Sequence, residues 1–356
     1  MNVRRTYYAI GALNWFATVL PMAVMVLLAQ SRGLSLSEIG LYLGLYSLTI
    51  MLLELPSGAL ADSVGRKRVL LAAYALAAVS RVVFLFAFDL AVFLAFAVLS
   101  GAARALSSGA LEAWFIDSLQ DADPEVDLQP ALATGNSFHL AGLAVGTLTG
   151  GLLPQLFAHL PTASTAVITP LSTTVVASVL VQLGVVAFTA LIMREARPAI
   201  LPTSNAAVGL GGTCRRGLGS LALVLGDAYE LTRRSRTLQL LLSADLVIGI
   251  VLTASELLWQ PFYAANVGIG ASETHVLGVV LAGCFGMGMV GNLAATPLSR
   301  LLKNRFALVS GLFQLLQGAS FVLLAWQTNL VLATAFYWST YFLRSAWSSP
   351  HATLFN

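Results

Sequence analysis

Glu54, Glu112, Arg81 and Arg104 are ionisable side chains set in long apolar runs, as in LYSLTIMLLELPSGAL around Glu54 and LLAAYALAAVSRVVFLFAF around Arg81. A carboxylate in such a place changes its proton affinity when its surroundings switch between wet and dry. Coupling a proton to a conformational change requires that property. Each charge buried at the centre of a membrane helix costs roughly 2.5–3.5 kcal/mol on insertion scales, so these residues read as functional. Counted along a helix from the ends of the runs, Glu54 and Glu112 lie about 10 Å deep, level with Asn14 and Asn136. Arg81 and Arg104 lie deeper, about 18–22 Å in. Glu112 is the first candidate for carrying a proton, Glu54 the second, with Arg104 as a relay partner. The rival reading gives Arg81 and Arg104 salt bridges to these acids that only hold helices together.

Arg104, Ser108 and Glu112 recur at i, i+4 and i+8, which places them on one stripe of a continuous helix. Further along, Asp245 and Glu256 stand 11 residues apart, three turns on one face. The segment LLWQPFY then brings Trp259 and Gln260, either as a substrate wall or as an aromatic belt at the membrane surface. His139 could titrate near neutral pH or hydrogen-bond a neighbouring helix. Together with Asn14, Arg81 and Asn136, these are the candidates for lining a substrate cavity. Enzymatic chemistry finds no support. No nucleophile–base pair or metal-ligand cluster is present, and Cys214 and Cys284 fit no disulfide framework. The Gly-rich GLGGTCRRGLG lacks the lysine and serine of a nucleotide-binding loop. The expectation is a non-enzyme with no cofactor, no nucleotide and no nucleic-acid partner.

The elements that must position these residues follow from composition. Only 10% of the 356 residues are charged and 58% are hydrophobic, against about 25% charged in a soluble domain. Runs of about 20–28 apolar residues are the length of membrane-crossing helices rather than barrel strands. The class is an all-α polytopic membrane protein whose partners are the lipid bilayer, a small-molecule substrate and protons. Ten spans are expected, near 7–30, 39–61, 69–88, 90–119, 129–157, 170–193, 238–264, 274–298, 306–326 and 329–349. With the N-terminus inside, 15 cations fall in inside segments, Arg32 alone falls outside, and Arg81, Arg104 and Arg344 lie within spans. This obeys the positive-inside rule and puts both termini in the cytoplasm. Residues 1–194 read as a six-helix bundle, 195–237 as a cytoplasmic linker ending in an amphipathic helix, and 238–356 as an incomplete bundle of four helices.

Residues 54–71 read ELPSGALADSVGRKRVLL, at the inner turn between the second and third spans. Gly58 and Gly65 allow close approach and a tight turn, Asp62 can accept from backbone N–H groups at a helix start, and Arg66 offers a fork to a carboxylate such as Asp117. The spacing of Gly58, Asp62, Gly65, Arg66 and Lys67 resembles the loop signature G-x-x-x-D-x-x-G-R-[KR] of the major facilitator superfamily, with Glu54-Leu-Pro56 similar to its drug-efflux branch. RALSSGALEAWFIDSL resembles the fourth span of efflux members. Gly142, Gly146, Gly150 and Gly151 match the antiporter signature G-x-x-x-G-P-x-x-G-G, except that Thr147 replaces the proline. They also form a helix-packing surface. GNLAATPLSR looks like a decayed copy of GALADSVGRK, with Gly291 and Ala294 aligned to Gly58 and Ala61.

The resemblance implies a two-bundle fold and a secondary transporter that exports a small amphiphilic compound or drug by proton antiport across a bacterial plasma membrane. It implies a gating role for the Asp62–Arg66 turn and a charge relay through Asp117. The family has twelve spans, so the last two are absent from this reading. Two alternatives stay open: a truncated, non-transporting relic or fragment, and a proton symporter for uptake.

Overall fold

The structure is a computed structural model and describes residues 2–194, 230–269, 273–301 and 305–352. The linker expected over 195–237 therefore lies mostly outside the described residues. Within them, helices occupy all ten expected stretches. Two stretches are broken. The first comprises α1 (Val3–Val19) and α2 (Met25–Ser31), and the fourth comprises α5 (Leu90–Ser107) and α6 (Ala110–Gln120). The others are α3 (Leu36–Val64), α4 (Arg66–Leu85), α7 (Leu128–Leu156), α8 (Thr173–Ile192), α9 (Arg236–Phe262), α10 (Thr274–Leu301), α11 (Phe306–Ala325) and α12 (Leu330–Ala352).

By length and apolarity alone, seven of these stretches qualify as membrane spans among the described residues. The exceptions are α1 and α2, which the break leaves 17 and 7 residues long, and α7 and α12, where polar residues such as His139 and Arg344 dilute the apolar character. Helices that face a polar interior need not be uniformly apolar.

Local chemistry sets the ends. Ser35 and Glu38 form a reciprocal capping box at the start of α3, which satisfies otherwise orphaned N–H groups. Asp89 and Asp127 accept from Val92 N–H and Gln129 N–H at the starts of α5 and α7, and Asn329 from Val331 N–H before α12. Gly65 has φ +105°, a conformation that disfavours any residue with a Cβ. It turns the chain between α3 and α4 within one residue. Asp62 thus sits in the last turn of α3 rather than at a helix start, because α3 runs on to Val64.

The break in the fourth stretch corrects an expectation. Ser108 is extended and Gly109 adopts the left-handed region at φ +71°, so Arg104 and Glu112 do not share a continuous helical stripe. Glu112 falls instead in the first turn of α6, where the positive end of the helix dipole favours a carboxylate.

Helices α1 and α3–α8 pack with one another, as do α10–α12, and α7 packs extensively against α10 between the two groups. Gly142, Gly146 and Gly150 lie against α1. A Cβ at any of them would overlap Ala12, Phe16 or Leu20, spaced four apart on the facing helix. Small residues let backbones approach where lipid supplies no hydrophobic drive between helices. Gly151 turns the other way and meets Gly278 of α10. Gly291 meets the backbone of Phe342 on α12, whereas a Cβ at Gly58 would have nothing within 4 Å. The close approach expected at Gly58 is absent because no described neighbour stands opposite it.

Helix α9 is different. Its backbone stays apart from α10–α12 and comes close to α2 and α3, while Trp259 and Ile248 reach across to pack against α10–α12 through their side chains. A cleft of about 460 Å³, lined by Val247, Ile248, Val251, Gln314, Gln317 and Phe321 among others, separates it from α11.

Candidate functional site

Two ends of the bundle differ. At one end, which carries Pro21, Arg32 and Gln260, the two groups of helices are joined. The chain between α1 and α2 passes through Leu20–Val24, and Val24 supplies no side-chain cap to α2. Gln260 of α9 does so from the other group. Its Oε1 accepts from Val26 N–H at 3.0 Å and Leu27 N–H at 3.2 Å, and its Nε2 donates to the Met22 carbonyl at 2.8 Å. Val26 and Leu27 are the second and third residues of α2, the positions an N-cap side chain normally serves. Gln260 is 1% exposed. Thr274 Oγ1 donates to the Gly151 carbonyl at 2.7 Å, and Gln155 meets His275.

Trp259, beside Gln260, is buried and stacks on Tyr337 with ring centres 6.0 Å apart. The reading of this segment as a lipid-facing aromatic belt is therefore corrected. The residues face protein because they sit where α9 meets α2 and reach towards α12.

Arg32, the lone cation on this side of the charge count, is also built in. Its guanidinium donates to the carbonyls of Phe84, Leu85 and Ala87 at 2.8–3.0 Å and lies over the Phe88 ring at 4.7 Å. These carbonyls lie at and just past the end of α4, where intrahelical donors run out; the Phe84 carbonyl also accepts from Ala87 N–H. A cation at a helix C-terminus also meets the negative end of the dipole.

At the opposite end lies the turn between α3 and α4. Arg66 Nη1 is 2.9 Å from Asp117 Oδ2 of α6, the pair expected from the sequence. Lys67 Nζ donates to the Ala190 carbonyl at 2.8 Å and Trp114 Nε1 to the Arg194 carbonyl at 3.0 Å, which tie the turn and α6 to the end of α8. Helices α4, α5, α6 and α8 have no substantial packing against α9–α12. The described joints between the groups thus cluster at the Gln260 end.

Between the two ends sits a polar pocket of about 60 Å³ lined by Asn14, Trp15, Thr18, Tyr46, Arg81 and Arg104 among others. Arg81 Nη2 donates to Thr18 Oγ1 at 3.1 Å and Nη1 to the Ala77 carbonyl of its own helix at 3.0 Å. Arg104 lies over the Trp15 ring at 5.3 Å. Asn14 Oδ1 accepts from Gln182 Nε2 at 3.4 Å. Across from this cluster, Glu256 of α9 is exposed and interacts electrostatically with Tyr46 on one side and Arg344 on the other.

Neither Glu54 nor Glu112 forms an ion pair with Arg81 or Arg104 among the described residues. Both acids are exposed. Glu54 Oε1 instead accepts from Ser108 Oγ at 3.0 Å, at the break between α5 and α6. Glu112 interacts with Tyr7. Asn136 is exposed on α7, and Asp245 is half-buried on α9. His139 has no hydrogen-bond partner at Nε2 among the described residues, contrary to the expected bond to a neighbouring helix. Its ring fills the notch left by Gly11 and leans on Tyr7, so shape rather than polarity places it.

Trp15, Thr18, Tyr46 and Gln182 were not singled out in the sequence. Asn14 and Thr18 at i, i+4 were the available signal for two of the polar lining groups. Tyr46 and Gln182 carry none, since one tyrosine or glutamine in an apolar run points to no particular face.

Solved structures of similar fold are transporters. A crystal structure of the nucleoside transporter NupG aligns with a TM-score of 0.68 at 13% identity, covering 99% of this chain and 87% of that one. A bacterial homologue of the human lysosomal transporter Spinster, in an inward-facing and occupied conformation, aligns at 0.72 with 15% identity, covering 99% and 73%. A D-xylose-proton symporter aligns at 0.56 with 14% identity, covering 98% and 81%. At these identities the likeness shows the fold. No curated protein matches in sequence. The family model described as Major Facilitator Superfamily matches residues 7–355. With that span matched and this fold, the chain belongs to the major facilitator superfamily and is a transporter rather than an enzyme.

Proposed function

We propose that the protein exports a small amphiphilic compound from the cytoplasm by proton-driven alternating access, with the Arg66 end and both termini on the cytoplasmic side of a bacterial inner membrane. The observation that carries this reading is the asymmetry of the two ends. Gln260, Thr274 and the Gly151–Gly278 contact join the helix groups at one end, while α4, α5, α6 and α8 stand apart from the second group at the other. A polar pocket lies between, near the level where transporter sites form.

Glu54 and Glu112 serve as the proton carriers in this scheme. Both are water-accessible in the state described, and closure of the Arg66 end would shut them off from water. Glu54 gains weight over Glu112 from its hydrogen bond to Ser108, because protonation there acts on the break between α5 and α6. The Arg66–Asp117 pair and the Asp62 turn form the cytoplasmic gate.

A proton gradient of 100 mV supplies about 2.3 kcal/mol per charge, roughly a fiftyfold concentration ratio. Purified protein in liposomes with an imposed pH gradient tests the reading. Substrate-induced proton movement is expected for wild type and is lost in Glu54→Gln. Coupling equal to that of wild type in both Glu54→Gln and Glu112→Gln would remove both acids from the mechanism.

A second reading, a non-transporting membrane scaffold, draws support from the sparse backbone contact of α9 with α10–α12 and the cleft between α9 and α11, since a rocking half needs rigidity. Gradient-independent behaviour towards a broad compound panel in the same liposomes would favour it. Inward substrate movement with protons would favour uptake by symport.

A further inference from the structure

The pocket among α1, α3, α4 and α5 holds two guanidinium groups and no carboxylate. Asn14, Trp15, Thr18, Tyr46, Arg81 and Arg104 line it. Among the described residues, neither arginine lies within ion-pair distance of an acid. Arg81 spends two donors on Thr18 and on a carbonyl of its own helix. Arg104 lies over the Trp15 face and interacts electrostatically with Tyr46 and Tyr74 of the same pocket. Glu54 accepts from Ser108 instead, and Glu256 interacts electrostatically with Arg344 as well as with this side of the gap. A cation without an acidic partner in the middle of a membrane protein is costly once water leaves it, and helix attachment explains only one of the two. Thr18 anchors Arg81, whereas Arg104 makes no described hydrogen bond between helices through its side chain.

The geometry points to Arg81 and Arg104 as the receptor for an anionic head group, a carboxylate or phosphate, on the transported amphiphile. This rests on the transporter reading above. An opening of about 60 Å³ accepts a head group and not a whole amphiphile, so the apolar remainder would extend into the space towards α9. A planar guanidinium binds either anion through paired N–H donors. Tyr46 and Asn14 stand on the same wall to supply neutral donors. Glu256, facing this cluster from the second group of helices, would repel an anion that is bound too loosely and attract the arginines once it has left. The substrate and Glu256 thereby compete for the same positive charge.

The test uses the purified full-length protein in detergent and reads binding, so it does not depend on transport or on proton coupling. Thermal unfolding is measured with benzoate, phenyl phosphate and the neutral isostere benzamide over a concentration series. Wild type is expected to be stabilised by at least one of the two anions and not by benzamide. Arg104→Gln, which removes an exposed guanidinium, is expected to weaken that binding about tenfold or more while the unfolding midpoint without ligand stays near that of wild type. Arg81→Lys keeps the charge but not the fork and is expected to weaken it less. Stabilisation by benzamide equal to that by the anions, no response to any probe, or an unchanged anion response in Arg104→Gln overturns the inference. Proton-coupled export of cationic or neutral compounds by a protein that fails this test would leave the transporter reading standing and remove the anion site alone.

Discussion

Replacing Gln260 by methionine keeps the side-chain length and removes its polar head. In the described state the change orphans two N–H groups at the start of α2 and the Met22 carbonyl, which Gln260 now serves at 2.8–3.2 Å. Loss of an N-cap costs about 0.5–2 kcal/mol, and a buried unsatisfied carbonyl adds about 1–3 kcal/mol. The site is 1% exposed, so water cannot substitute while the end is closed. When that end opens, the same groups are hydrated and the substitution costs little. The penalty therefore falls on one state. A net shift of about 2–3 kcal/mol corresponds to roughly a 30- to 150-fold rise in the population open at the Gln260 end.

Gly40 offers a reporter, because a Cβ there would sit 3.6 Å from Leu257 Cδ2 across the joint, an ordinary contact. A single cysteine at position 40, in a background with Cys214→Ser and Cys284→Ala, is labelled with a membrane-impermeant maleimide from the Gln260 side. The labelling rate should rise by the factor above when Gln260→Met is added. A change of less than about threefold in a folded variant, against a shift of this size, would show that Gln260 is not what holds this end shut.

Arg32→Ala removes three carbonyl contacts and a ring contact, and should destabilise the protein by about 2–4 kcal/mol in detergent unfolding; Arg32→Lys, lacking the fork, should recover less than half. Gly150→Leu forces a side chain into the backbone of α1 at Leu20 and should cost more than about 2 kcal/mol, whereas the same change at Gly58, which faces open space, should cost little. Unfolding midpoints of the two variants check the contrast. The Arg66–Asp117 pair is 22% and 55% exposed. A double-mutant cycle with Arg66→Gln and Asp117→Asn should give a coupling below about 1 kcal/mol; a larger value would mean that the pair is more shielded than this state shows. Gly151→Val wedges α7 from α10 at Gly278 and should accelerate labelling at position 40 in the same direction as Gln260→Met.

Composition and periodicity determined the class and the placement of the helices. Apolar runs long enough to cross a bilayer must satisfy their backbone internally, and that requirement is local. The stretches expected from residue 7 to residue 349 all contain helices in the structure. The turn at Gly65 and the Arg66–Asp117 pair were legible for the same reason: a glycine, a cation fork and a nearby acid act over short distances. The break at Ser108–Gly109 was not legible, since serine and glycine also occur within unbroken membrane helices and only the packed neighbours decide which conformation is kept. Nor could the sequence assign Gln260 to the start of a helix some 230 residues earlier, because capping across an interface depends on which ends meet. The isolation of Arg81 and Arg104 from Glu54 and Glu112 was likewise a matter of tertiary structure. Sequence gives each charge a depth, but whether charges pair depends also on helix rotation, and a rotation of one residue turns a side chain through about 100°.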